Sequence, residues 1–312
     1  MSLSESVSGQ SPFGDCPRFS ATLRAHMFDF RYHVASLVAV FLALVIGILV
    51  GVGIADRGVR EDALRRDLAN ARSQLDNAQG KSAFLERQQK ATQDFVDASY
   101  PALMAHRLDG KRIALVFVGS VDDDVRSSVQ KAVSDAGGKV AFMRALKLPV
   151  DRKTMQSALA HRRQLISSYA GDDGLGKLGQ GLAQELAAGG DPTLWNTVGT
   201  KLIEEQTGRF GKADGVVLTR TVGPQRGPTG RFLKGLYAGL GSAAIPAVGV
   251  ESSDASTTAV AVLRDAGLST VDDLEQPTGR LALALLLEGG PGGRYGLREE
   301  DDALMPPITP VG

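Results

Sequence analysis

Residues 112–145 read RIALVFVGSVDDDVRSSVQKAVSDAGGKVAFMRA. RIALVFV (112–118) is an uninterrupted apolar run after one arginine, the mark of a strand buried on both faces. Asp122, Asp123 and Asp124 then open a helical pattern over Val121–Ala136, where carboxylates suit the unpaired N–H groups of a first turn. KVAFMRA (139–145) supplies a second strand. Strand, helix and strand in about 34 residues form the start of a βαβ unit.

Toward the C-terminus the alternation continues. GVVLTRT (215–221) and AIPAVGV (244–250) read as strands. Arg231–Leu240, Ala255–Ala266 and Gly279–Leu287 read as helices. Strands separated by helices imply an α/β domain with a doubly wound, mostly parallel sheet. A helical insertion, 152–207, broken by Gly and Asp clusters, stands between the second and third strands and is placed over one sheet edge.

In such sheets ligands bind beyond the carboxyl ends of the strands. The crevice expected there is lined by Gly119 and Ser120, by the loop TRTVGPQRGPTG with Arg220 and Arg226, and by Glu251, Ser252 and Ser253. The loop suits an anionic ligand or a protein, and equally an idle surface. A dinucleotide pattern, Gly174-Leu175-Gly176-Lys177-Leu178-Gly179, lacks the strand that must precede it, and reads as a flexible connection between helices. The first strand-to-helix turn, VGSVDDD, places carboxylates where phosphate needs bare amides, which argues against a nucleotide. No catalytic triad or paired-carboxylate arrangement can be assembled, so the chain is read as non-enzymatic with no evident cofactor.

Metal ligation has no strong signal. Cys16 is the one cysteine, and His26, His33, His106 and His161 are scattered. Met104, His106 and Met143 are soft ligands too sparse to define a copper site, and read as packing. Lys plus Arg and Asp plus Glu both number 35, which disfavours nucleic acid.

Toward the N-terminus, Pro101 closes a long helical pattern. Leu64, Leu68, Ala71, Leu75, Ala78, Ser82 and Leu85 alternate in steps of four and three, the seam of a coiled coil over 57–100. Ahead of it, VASLVAVFLALVIGILVGVGIA (34–55) carries no charge, and at ~1.5 Å per residue it can cross the ~30 Å core of a bilayer. Ala43, Gly47 and Gly51 are small residues spaced by four, which lets two membrane helices approach closely. A cleaved signal peptide, cut near Gly53-Ile54-Ala55, is the alternative; its apolar region usually runs only ~7 to 15 residues. These features predict a homodimer or higher homo-oligomer anchored in the lipid bilayer by its own helix. Residues 1–26 read as a disordered leader, with Met27 an alternative start, leaving 27–56 as anchor and 101–312 as the α/β domain. Arg18, Arg24 and Arg31 before the span, against Arg57, Arg60, Arg65 and Arg66 after it, slightly favour a cytoplasmic C-terminal side.

Phe28-Asp29-Phe30-Arg31-Tyr32-His33, the following Leu37–Leu44, the seam segment, and the tail Tyr295-Gly296 with Asp302-Ala303-Leu304-Met305-Pro306-Pro307 resemble the actinobacterial MctB family. The resemblance covers nearly everything after Met27. It implies a single-pass cell-envelope protein whose C-terminal domain is extracytoplasmic, against the charge bias, with a part in copper transport or homeostasis. Copper enters by this resemblance alone, and no metal ligands transfer with it. Related SteB-type proteins are similar in architecture, and imply the alternative of an envelope scaffold for septal cell-wall remodelling with a cytoplasmic partner, SteA. One helix cannot enclose a pore, so a channel would require many copies.

Overall fold

The computed structural model describes residues 30–160, 162–171, 173–255, 257–298 and 301–310. The leader, Met27, Phe28, Asp29 and His161 lie outside the described residues. The chain divides into two compact units, the first ending at Phe84 and the second starting at Leu85.

In the first unit, helix α1 (Phe30–Met104) begins and carries the apolar segment, of which Tyr32–Val52 is long and apolar enough to cross a membrane. Leu37, Phe41, Leu44, Ile48 and Leu49 are all exposed, as are Leu64, Leu68 and Leu75 of the seam. Leu85, the last leucine of that seam, is exposed in the second unit. Pro101 does not end the helix. It lies within the last turn, where its ring and missing N–H interrupt a single i→i−4 bond with only three residues still to come, and α1 continues to Met104. His106, at φ 66°, then turns the chain into the sheet.

The second unit is built on a seven-stranded sheet in the order β3-β2-β1-β4-β5-β6-β7. β1 (Arg112–Val118) runs parallel to β2 (Lys139–Leu146) on one side and to β4 (Gly215–Arg220) on the other. β5 (Ala247–Val250), β6 (Ser269–Val271) and β7 (Arg294–Tyr295) extend it in parallel. The two faces follow from residue parity in β1. Ile113, Leu115 and Phe117 face α2 (Asp123–Asp135), α9 (Pro277–Glu288) and the end of α1, where Tyr100 and Met104 are buried. Ala114, Val116 and Val118 face the other layer, with α5 (Gly174–Ala188), α6 (Thr193–Leu202), α7 (Gly227–Gly241) and α8 (Val260–Asp265). Burying each Leu or Phe in these layers contributes about 1.5–3 kcal/mol.

Within the expected insertion, α3 (Arg152–Leu159), α4 (Arg163–Tyr169), α5 and α6 are helical, but Ile203–Thr207 is a strand, β3, antiparallel to β2. Its sequence, IEEQT, has one apolar residue, because an edge strand wetted on both sides needs no hydrophobic pattern. Backbone pairing holds it, together with Arg144, whose guanidinium donates to the carbonyls of Thr207 (2.9 Å) and Gly208 (3.4 Å). That cation is buried beside the stacked rings of Phe142 and Phe210, 5.3 and 5.8 Å from their centres, and burial lowers its pKa.

The glycines of the false dinucleotide pattern are not a flexible connection. They lie in α5, where it crosses α7 at backbone contact. A Cβ on Gly235 would stand 1.9 Å from the Gly176 carbonyl oxygen, and one on Gly179 would stand 2.2 Å from that of Phe232. Helix α8 is shorter than the expected 255–266, since the residues just ahead of it are pinned as a loop: Arg220 donates to the Thr258 carbonyl (2.6 Å), and the Ala259 N–H donates to Glu251.

Candidate functional site

The switch point of the sheet lies between β1 and β4, whose following connections leave in opposite directions along the sheet. It is stitched shut. The Thr221 hydroxyl donates to the Ser120 carbonyl (2.7 Å), and the Thr221 N–H to that of Val118 (3.1 Å). Gly119, at φ 110°, sits so close to Thr221 and Val222 that a Cβ there would be 2.6 Å from the Thr221 hydroxyl. Ser120 is exposed beside this seal.

Arg220, Glu251 and Ser252 do come together, around a cavity of about 290 Å³ next to β4 and β5, with Asp122, Thr219 and Asp254. Asp122 is occupied there as the N-cap of α2, accepting from the N–H groups of Asp124 and Val125 (both 3.0 Å). Glu251 is 4% exposed, with Arg298 3.7 Å away. The Ser252 hydroxyl donates to Glu275 (3.1 Å), as do the N–H (3.2 Å) and hydroxyl of Ser253. Burial pushes the Glu275 carboxyl up, but the hydrogen bonds from Ser253 and Ser252 outweigh it and hold the group below its ordinary value. Arg226 is separated from this cavity. It precedes α7 and shares with Arg220 a larger groove of about 820 Å³.

Behind the cavity lies an acidic cluster that the sequence reading passed over. Asp272 accepts from the Leu297 N–H (2.9 Å) and pairs with the Arg298 guanidinium (2.8 Å). Asp273, wholly buried, accepts from the Thr278 hydroxyl (2.8 Å). Its carboxyl is pushed up to about 6, first by burial and then by the charges of Asp272 and Glu275, against the opposing Thr278 bond. The signal was the acidic pair in VDDLEQP, just ahead of a Pro-initiated helix.

Among the described residues, no group of three or more His, Cys, Asp or Glu is arranged to hold a metal ion. Met104 and Met143 are core side chains, whereas His106 is exposed with Nδ1 2.9 Å from Asp109, so the three do not converge.

Comparison with known families adds what geometry alone does not. Residues 27–306 match the family described as "Copper transport outer membrane protein, MctB". The chain belongs to the MctB family. It is 28% identical over 307 residues to proteins named Copper transporter MctB from Mycobacterium bovis and Mycobacterium tuberculosis. Those alignments cover 86% of this chain and 96% of each relative. The MctB match begins at Met27 and takes in the apolar helix, the seam and the sheet domain together. It gives the septal scaffold alternative no support.

Proposed function

We propose that this protein is a single-pass, self-pairing envelope protein that takes part in copper transport or homeostasis, with its α/β domain on the extracytoplasmic side. The observation that carries the reading is the MctB match over 27–306, with relatives named as copper transporters. Anchoring is supported by the Tyr32–Val52 segment. Pairing is supported by one unbroken helix that joins Gly47 and Gly51 to a heptad seam with exposed leucines. Copper is the substrate in this reading. In this reading copper is handled by the assembled oligomer or with a partner, in keeping with soft side chains that do not converge among the described residues of one copy.

The test is cellular and direct. Deleting the gene is expected to alter cell copper content and copper tolerance, and full-length protein restores both. Unchanged copper content and tolerance would overturn the copper role. A reporter fused after Gly312 separates the two orientations, and activity only in the cytoplasm would overturn the sidedness.

A further inference from the structure

Helix α7 has two unlike faces. One is pressed onto α5 through Gly235 and Gly239. The other presents Arg231 and Lys234 to a groove of about 820 Å³ that is lined also by α8 and by Arg220 and Arg226. Its volume falls within the range of roughly 300–1,000 Å³ typical of small-molecule sites.

Four cations thus line one groove, and its only carboxylate, Asp265, is already paired with Arg264 at 3.0 Å. Among the described residues, the side chains of Arg226, Arg231 and Lys234 form no ion pair or hydrogen bond. Arg220 spends one terminal nitrogen on Thr258, while its Nε is buried without a partner. Like charges gathered in excess of the carboxylates around them repel one another, so the groove attracts an anion.

Tyr237 gives a second, independent indication. It lines the same groove, is 3% exposed, and its hydroxyl has no hydrogen-bond partner. Buried hydroxyls are nearly always paired, and an orphan one marks a place where a partner belongs. Burial pushes this phenol up to about 12, with the Arg220 charge opposing, so it stays protonated and serves as a donor at neutral pH. Leu233, Ala261, Val262 and Ala266 add an apolar stretch to the lining.

We propose that the α7–α8 groove binds an organic phosphate with an apolar body, its phosphate held by Arg220, Arg226, Arg231 and Lys234 with the Tyr237 hydroxyl donating, and its body against Leu233 and Val262. Arginine forks and a neutral phenol match the several acceptor oxygens of a phosphate. Binding at this groove is separate from the copper role and does not depend on it.

The test titrates 1-naphthyl phosphate into the full chain in phosphatidylcholine nanodiscs, read by calorimetry against empty discs. Binding is expected to weaken with salt, and to exceed that of uncharged 1-naphthol by about tenfold or more. Arg231→Gln with Lys234→Gln, both exposed positions, is expected to weaken binding roughly tenfold. Tyr237→Phe removes only the orphan hydroxyl and is expected to weaken binding about fivefold with the fold intact. Equal affinity in these variants, or equal binding of a naphthyl trimethylammonium cation, would overturn the proposal. Competition distinguishes the source of the phosphate. Stronger displacement by dioctanoyl phosphatidic acid supports a lipid headgroup, stronger displacement by glycerol 3-phosphate supports a free ester, and displacement by neither overturns the site. Failure of naphthyl phosphate to bind, with tight binding of polyglutamate, would also overturn it, in favour of an acidic protein surface.

Discussion

Asp273→Asn is expected to stabilise the protein at neutral and alkaline pH, and to destabilise it by about 1 kcal/mol in acid. The carboxyl is wholly buried, and its folded pKa of about 6 stands above its ordinary 3.8. The folded state therefore holds the proton more tightly than the unfolded state. Stability from this group is fully present below the unfolded value, and is lost as pH rises through the folded one. A difference of about two units corresponds to roughly 3 kcal/mol lost above about pH 7. Asparagine keeps an acceptor for the Thr278 hydroxyl and removes the charge, but its amide adds a buried donor that takes back about 1 kcal/mol. The net gain is about 2 kcal/mol, or roughly 4–8 °C in Tm for a protein of this size. Trp195 is the single tryptophan and is buried, so its emission reports unfolding of the full chain in detergent. An equal Tm difference at about pH 4 and about pH 8, or a lower Tm for the variant at the higher pH, would refute the reasoning.

Gly235→Ala forces a Cβ against the Gly176 carbonyl, so overpacking of about 1–3 kcal/mol is set against a helix-propensity gain of about 1; urea unfolding should show a net loss, with Gly190→Ala, in open space, as the control. Arg107→Ala breaks a 2.7 Å pair with Glu288 in which the arginine is buried, and a loss of about 3 kcal/mol is expected in the same assay. Leu75→Cys in a Cys16→Ser background should give a disulfide-linked dimer in membranes on oxidation, whereas Asp76→Cys, off the seam, should not; equal yields would refute the register of the pairing.

The central βαβ unit was legible because β1 and β2 are buried on both faces, and the Asp122 cap announced α2. β3, β6 and β7 were not, for opposite reasons. β3 is polar and held by its backbone, while β6 and β7 span three and two residues, too few for any period to register. Small residues misled in α5, where the glycine spacing of a nucleotide loop serves instead to bring two soluble helices into contact. The site was legible only as strand ends. Arg220, Glu251 and Ser252 follow from strand order, but Arg231, Lys234 and Tyr237 share a groove through the pitch of α7 and its distance from α8, which depend on tertiary packing. Asp273 lay hidden because adjacent acids before a helix look alike whether they meet water or the interior.

Arg107 reaches across 202 residues to the carbonyl of Thr309, while also gripping Glu288. The end of α1 is thus followed by a clasp whose other half is synthesised some 202 residues later. A nascent chain will have its apolar stretch available long before that clasp can close, so maturation of the sheet unit waits for the segment around Thr309 to emerge. Chains cut short near residue 290 would leave the Arg107 guanidinium without one of its acceptors, marking them for proteolysis.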